Sequence, residues 1–141
     1  MIYILDTDTF SDATRRRRRL RERIDRERHT HRVLTTVITE LEMYHGWHER
    51  VTKAADRVEL SRAIAGLNVS KEFLAEFEVL PFDEIAAEHF ERLKREKLSR
   101  KAGRKDLLIG CVALAHSARV VTRNLKDFRL IPGLDAEDWS E

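Results

Sequence analysis

At 141 residues the chain is long enough to bury one hydrophobic core without staples and too short for two ordinary domains. Its single cysteine, Cys111, excludes an internal disulfide, and no apolar run approaches the ~18 residues of a membrane span. The net charge of +2 conceals an asymmetry: from Arg15 to Arg32 ten arginines face only Glu22, Asp25 and Glu27, a local excess of +7.

That arginine excess suits a phosphate-bearing partner. The competing reading is a solvated helix face held by i,i+4 pairs such as Glu22–Arg26. The tail, with Asp135, Glu137, Asp138 and Glu141, is acidic. The N-terminus carries no basic region followed by a long apolar core, so no secretory signal is expected. A soluble chain of the reducing cytoplasm, with no membrane association, is expected.

In chain order, Ile2–Leu5 reads as a short buried strand. Phe10, Ala13, Leu20 and Ile24 then fall on a helical stripe that Arg17 interrupts. Arg32–Ile38 is rich in β-branched residues and reads as the second strand. The helix that follows is expected to place Leu41, Tyr44, Trp47, Val51, Ala54 and Val58 on one face, with Leu60, Ala63, Ile64 and Leu67 extending it or forming another. Ser70 is a candidate cap for a brief helix holding Phe73, Leu74 and Phe77. Val79–Phe82 is a short strand ended by its proline, Pro81, and Asp83 is placed to cap a helix containing Ile85, Ala86, His89, Phe90 and Leu93. Leu98–Lys105 is a basic loop.

Asp106 opens a helix that is apolar nearly all round and hence buried, with Cys111 packed inside it rather than acting as a nucleophile. Arg119–Thr122 is the late strand, and Pro132-Gly133 marks a turn before a short end containing Trp139. Strands alternating with helices predict an α/β fold with a mainly parallel sheet, one domain over residues 1–141.

The acids follow this order. Asp6 and Asp8 come directly after the first strand, Glu40 and Glu42 in the first turn after the second, and Asn124 and Asp127 after the late strand. Asp106 heads the buried helix. In an open parallel sheet, sites form beyond the carboxyl ends of the strands, and right-handed crossovers bring these segments to that edge. Gathered carboxylates repel one another unless a cation sits among them. Oxygen donors select hard ions, Mg²⁺ or Mn²⁺, over zinc. His29 and His31 are too close in sequence, with no second Cys/His pair, to form a zinc site. The remaining histidines, at 45, 48, 89 and 116, read as surface or helix-face residues. Taken singly, each acid has a structural reading: Asp8 as a turn residue, Asp127 as a strand terminator, Glu40 as a solvated side chain. Between Glu40 and Glu42 the spacing alone does not choose.

Four segments together resemble the PIN-domain nucleases, and within them the VapC-type toxins of bacterial toxin–antitoxin pairs. They are Leu5-Asp6-Thr7-Asp8, Thr39-Glu40-Leu41-Glu42-Met43-Tyr44-His45-Gly46, Lys105-Asp106-Leu107-Leu108-Ile109-Gly110 and Val121-Thr122-Arg123-Asn124-Leu125-Lys126-Asp127-Phe128. The ending Pro132-Gly133-Leu134 with Glu137-Asp138-Trp139 is similar as well.

The resemblance implies a three-layer PIN-like fold with helices on both sides of the sheet. The family pattern of an acid followed four residues later by glycine selects Glu42 through Gly46. Asp6 and Asp106 are implied as the central metal ligands, assisted by Glu42 and by Asn124 or Asp127, with Asp8 auxiliary. The implied activity is Mg²⁺-dependent hydrolysis of RNA, with Mn²⁺ as an alternative ion and tRNA or another structured RNA as target. A VapB-like antitoxin and a homodimer are the implied partners. Arginines 15 to 19, with Arg100, Lys101, Arg104 and Lys105, are expected to hold the RNA backbone. The unbroken arginine run departs from the family pattern.

Two other readings compete. Asp6-Thr7-Asp8-Thr9 fits the opening of a haloacid dehalogenase-type phosphatase, although too little chain follows Thr122 for the rest of that site. A non-catalytic RNA-binding module would use the basic helix alone.

Overall fold

A computed structural model describes residues 1–15, 17–96 and 102–140. Five strands form one sheet in the order β3-β2-β1-β4-β5, with every neighbouring pair parallel. They are β1 (Ile2–Leu5), β2 (Arg32–Thr36), β3 (Val79–Leu80), β4 (Arg119–Val121) and β5 (Asp135–Glu137). The helices between them are α1 (Thr7–Thr14), α2 (Arg18–Glu27), α3 (Val37–Thr52), α4 (Arg57–Leu74), α5 (Glu84–Arg95), α6 (Arg104–Ala115) and α7 (Leu125–Phe128).

The central strand explains the layering. Along β1 the side chains alternate: Ile4 joins a core with α5 and α6, through Leu93, Leu107, Ile109 and Val112. Tyr3 and Leu5 join a second core on the other face, with Phe10, Leu20, Ile24 and Phe73. A strand buried on both sides must be apolar throughout, which is why Ile2–Leu5 shows no polar alternation. The result is the expected three layers with helices on both faces.

Caps set the element boundaries. Asp6 accepts from the Thr9 amide at 2.9 Å and starts α1. Asp83 caps α5 as expected, accepting from the Ala86 amide at 2.9 Å. Thr36 accepts from the Thr39 amide, so α3 begins at Val37 and the second strand stops two residues short of Ile38. The stripe through Phe10, Ala13, Leu20 and Ile24 is buried, but it spans two helices, with Arg17 at the N-cap of the second.

Three expectations are corrected. Leu41 and Tyr44 are 65% and 41% exposed, because α3 turns Thr39 and Met43 inward where it packs against α1 and α4. Thr52 ends α3, so Val58 lies on α4, also exposed. Ser70 caps nothing: it sits inside α4, where its hydroxyl accepts from the Trp47 indole N–H at 2.9 Å. Trp139 is fully buried against Tyr3, closing the sheet at its β5 edge.

Candidate active site

Register brings the first acid to its neighbours. Leu5 pairs with Val121, and the Asp6 amide donates to the Val121 carbonyl at 3.1 Å, so Asp6 and Thr122 leave the sheet side by side. The buried Thr122 hydroxyl donates to Asp6 Oδ2 at 2.6 Å and also accepts from the Asn124 amide at 2.8 Å. Asp6, only 3% exposed, is therefore held by the Thr9 amide on one oxygen and by Thr122 on the other. Burial pushes its carboxyl above the usual range, against the pull of those bonds.

Asp106 arrives in the first turn of α6. The Asn124 amide group donates to Asp106 Oδ2 and to Asp127 Oδ2, both at 2.8 Å. Asn124 thus stands between Asp106 and Asp127, hydrogen-bonded to both. Arg123 pairs with the buried Asp12 of α1 at 3.0 Å, tying the loop that presents Asn124 to the body of the domain. Burial first, then the charges of Asp6, Asp127 and Asp8, push the Asp106 carboxyl up to about 6.

Glu42 enters from α3. Its Oε1 accepts from the Thr7 hydroxyl at 3.1 Å, and its Oε2 pairs with Lys105 Nζ at 3.2 Å. Thr7 follows Asp6 and Lys105 precedes Asp106, so Glu42 is linked to both central acids through their chain neighbours. Asp8 is exposed and reaches the others only through its charge.

The sequence reading missed the threonines. Thr122 was visible only as a strand end, and Thr7 and Thr39, whose hydroxyls lie 3.1 Å apart, carried no signal of their own. Thr122 directly follows β4, whereas Thr7 and Thr39 lie in the first turns of α1 and α3.

The basic residues divide. Arg17 reaches Asp12 at 3.7 Å, Arg18 pairs with Glu22 at 2.9 Å, and Arg104 lies over the Phe90 ring. Arg15 stands at the rim of a groove that also contains Thr7 and Glu42. Arg16, Arg100 and Lys101 lie outside the described residues, as does most of the expected basic loop.

The donor set suits a hard divalent cation. Its members are carboxylate and amide oxygens, and their mutual repulsion adds to burial in raising the Asp106 carboxyl. Among the described residues no three acid, histidine or cysteine side chains close into a ready-made cage. An open site with one or two carboxylates and room for water is the arrangement Mg²⁺-like ions favour. Fold and site together define an acidic pocket at the carboxyl edge of a parallel sheet.

Comparison with known proteins identifies the family. The PIN domain model matches residues 3–134. The tRNA(fMet)-specific endonuclease VapC of Salmonella typhimurium is 32% identical over 97% of both chains. Among solved structures, VapBC2 from Rickettsia felis bound to a promoter DNA fragment superposes with a TM-score of 0.79 at 26% identity, covering 99% of each chain. DNA-bound VapBC from Salmonella typhimurium gives 0.79 at 30% identity, covering 99% of this chain and 98% of that one. The chain belongs to the PIN-domain family, among its VapC-type ribonuclease toxins. It is a nuclease, a hydrolase of the divalent-metal-dependent kind. Membership decides against the phosphatase and the non-catalytic module. No helix among the described residues is long and apolar enough to cross a membrane.

Proposed function

We propose that this chain is a Mg²⁺-dependent endoribonuclease, one PIN domain over residues 1–141, with Asp6 and Asp106 as the cation ligands and Glu42, Asn124 and Asp127 completing the site. The observation that carries the reading is the Asn124 amide donating to both Asp106 and Asp127 while Asp106 feels the charges of Asp6, Asp127 and Asp8. Acids from distant segments sense one another at one point, as a cation site requires.

When bound, the cation supplies a lowered pKa for attacking water and neutralises charge developing on the phosphate. The chain's own residues do the rest. Thr9 and Thr122 fix the Asp6 carboxylate, leaving its remaining lone pairs for the cation. Asn124 holds Asp106 and Asp127 against their repulsion. Glu42, oriented by Thr7 and with its charge balanced by Lys105, would position the cation or the water it activates. Mn²⁺ fits the same donors.

The relatives' names support tRNA or another structured RNA as the substrate. The VapBC complexes support a VapB-like antitoxin as partner. A homodimer would cover Leu41 and Tyr44, the exposed apolar side chains of α3. The buried free Cys111, whose thiol burial pushes up to about 11, suits a reducing cytoplasm.

The test is cleavage of tRNA and total RNA in Mg²⁺ by purified Asp6→Asn and Asp106→Asn. Loss of about 10²-fold or more is expected, the scale of removing a charged transition-state stabiliser. Undiminished cleavage by either variant would overturn the assignment.

A further inference from the structure

Glycine in a helix interior costs about 1 kcal/mol relative to alanine, so its position there asks for a reason. Of the five glycines, Gly103 and Gly133 have positive φ, and Gly66 and Gly110 lie under Trp47 and Ile131, which a Cβ would strike. Gly46 has neither reason. It lies within α3, and a Cβ built on it meets nothing within 4 Å. It is also one helical turn beyond Glu42, on the same face.

The space before it is a groove of about 460 Å³ between α1, α3 and α4. Thr7 and Glu42 belong to both the groove and the acidic cleft. Arg15 and Arg50 also line it, and the Arg50 guanidinium stacks over the Trp47 ring at 4.7 Å.

We propose that this groove binds the nucleoside adjoining the scissile phosphate, and that Gly46 is a specificity-determining position whose absent side chain is the room that nucleoside occupies. The inference rests on the nuclease reading and deepens it. The volume falls within the about 300–1,000 Å³ of small-molecule sites. The shared wall at Glu42 means that RNA held at the acids runs directly into the groove. Two guanidiniums against one carboxylate give the cationic rim a phosphodiester chain needs. The Trp47 ring, with the Arg50 guanidinium over it, lines the groove as an aromatic–cation pair of the kind against which an unstacked base packs. An apolar peptide would use the floor but leave both arginines and the opening to the acids without a role.

The experiment titrates the metal-free full chain with the four ribonucleoside 5′-monophosphates, following Trp47 fluorescence. Trp139 is buried, and Trp47→Phe identifies the responding ring. Ribose 5-phosphate and inorganic phosphate are the controls. At least one nucleotide is expected to bind saturably where the controls do not. Gly46→Leu should weaken that binding about tenfold or more, and Gly46→Ala less, in the range pocket sterics produce. Gly46→Leu should also raise KM for an oligoribonucleotide more than it lowers kcat, while keeping wild-type Mn²⁺ binding and a melting temperature no lower than wild type. Nucleotides binding no better than phosphate, or Gly46→Leu binding them like wild type, would overturn the proposal. So would intact nucleotide binding by Gly46→Leu together with weakened binding of a co-expressed antitoxin, which would make the groove a protein-docking surface. Undiminished cleavage by Asp6→Asn overturns the metal-site reading instead, and the nucleotide titration registers independently of it.

Discussion

At the scale of single residues, the site is a set of carboxylates made costly by burial and held in place by hydroxyl and amide donors. Thr122→Val tests the holding. The swap keeps shape but removes the donor to Asp6 and the acceptor for the Asn124 amide. A loss of about 1–3 kcal/mol in urea unfolding is expected. Mn²⁺ affinity, read by calorimetry, should fall about 10–100-fold, as for other groups that orient a metal ligand. Wild-type values in both would show that Asp6 is positioned by something else. Asp106 tests the cost. Its carboxyl is raised above the unfolded value of 3.8 to about 6, chiefly by burial. The metal-free fold therefore has this contribution in full below 3.8 and loses it as pH rises through about 6. Cation binding runs the other way, because the ligand must be ionised. The rise in melting temperature caused by Mn²⁺ should be large at about pH 7.5 and mostly gone near pH 5, on the linkage argument. An equal rise at both would sink the assignment of Asp106 as a ligand.

At the scale of elements, the crossing of α3 and α4 decides how Glu42 and the groove face the sheet. Trp47 is the contact: its ring lies over Gly66 and its N–H reaches Ser70. Gly66→Ala puts a methyl into that ring, and overpacking of this kind costs about 1–3 kcal/mol. Gly46→Ala, on the facing helix with open space before it, should instead stabilise by up to about 1 kcal/mol. Denaturant melts of the two variants give opposite shifts on this account, and shifts of the same sign would contradict the crossing described. The arginine excess between residues 15 and 32 is also partly accounted for at this scale. Arg21 donates to the Ala13 carbonyl at the end of α1 and stacks over Phe73, and Arg28 stacks over Phe77. Part of the positive charge that suggested RNA binding thus fastens α2 to the core.

At the scale of the whole molecule, charge decides how RNA can be held. The net charge is only +2, so affinity for RNA must come from a few placed side chains. Among the described residues, Arg15 at the groove and the exposed Arg19 on α2 form no ion pair, unlike Arg17 and Arg18. Replacing Arg15 by alanine should weaken binding of a non-cleavable RNA and reduce the slope of log K against log salt by about 1. The same change at Arg18, already paired, should leave the slope near wild type. The amino-acid sequence by itself determined the layers and the acids. Two-sided burial demands unbroken apolar strands, and strand-terminal carboxylates in a parallel sheet can only converge on its carboxyl edge. It could not determine which acid of α3 faces inward, that Asn124 serves Asp106 and Asp127 together, or that Leu41 and Tyr44 point outward. Those depend on helix rotation and on hydrogen bonds between residues far apart in the chain, such as Thr122 to Asp6. Periodicity gives the face of a helix only relative to itself, and packing against the rest of the fold decides what that face meets.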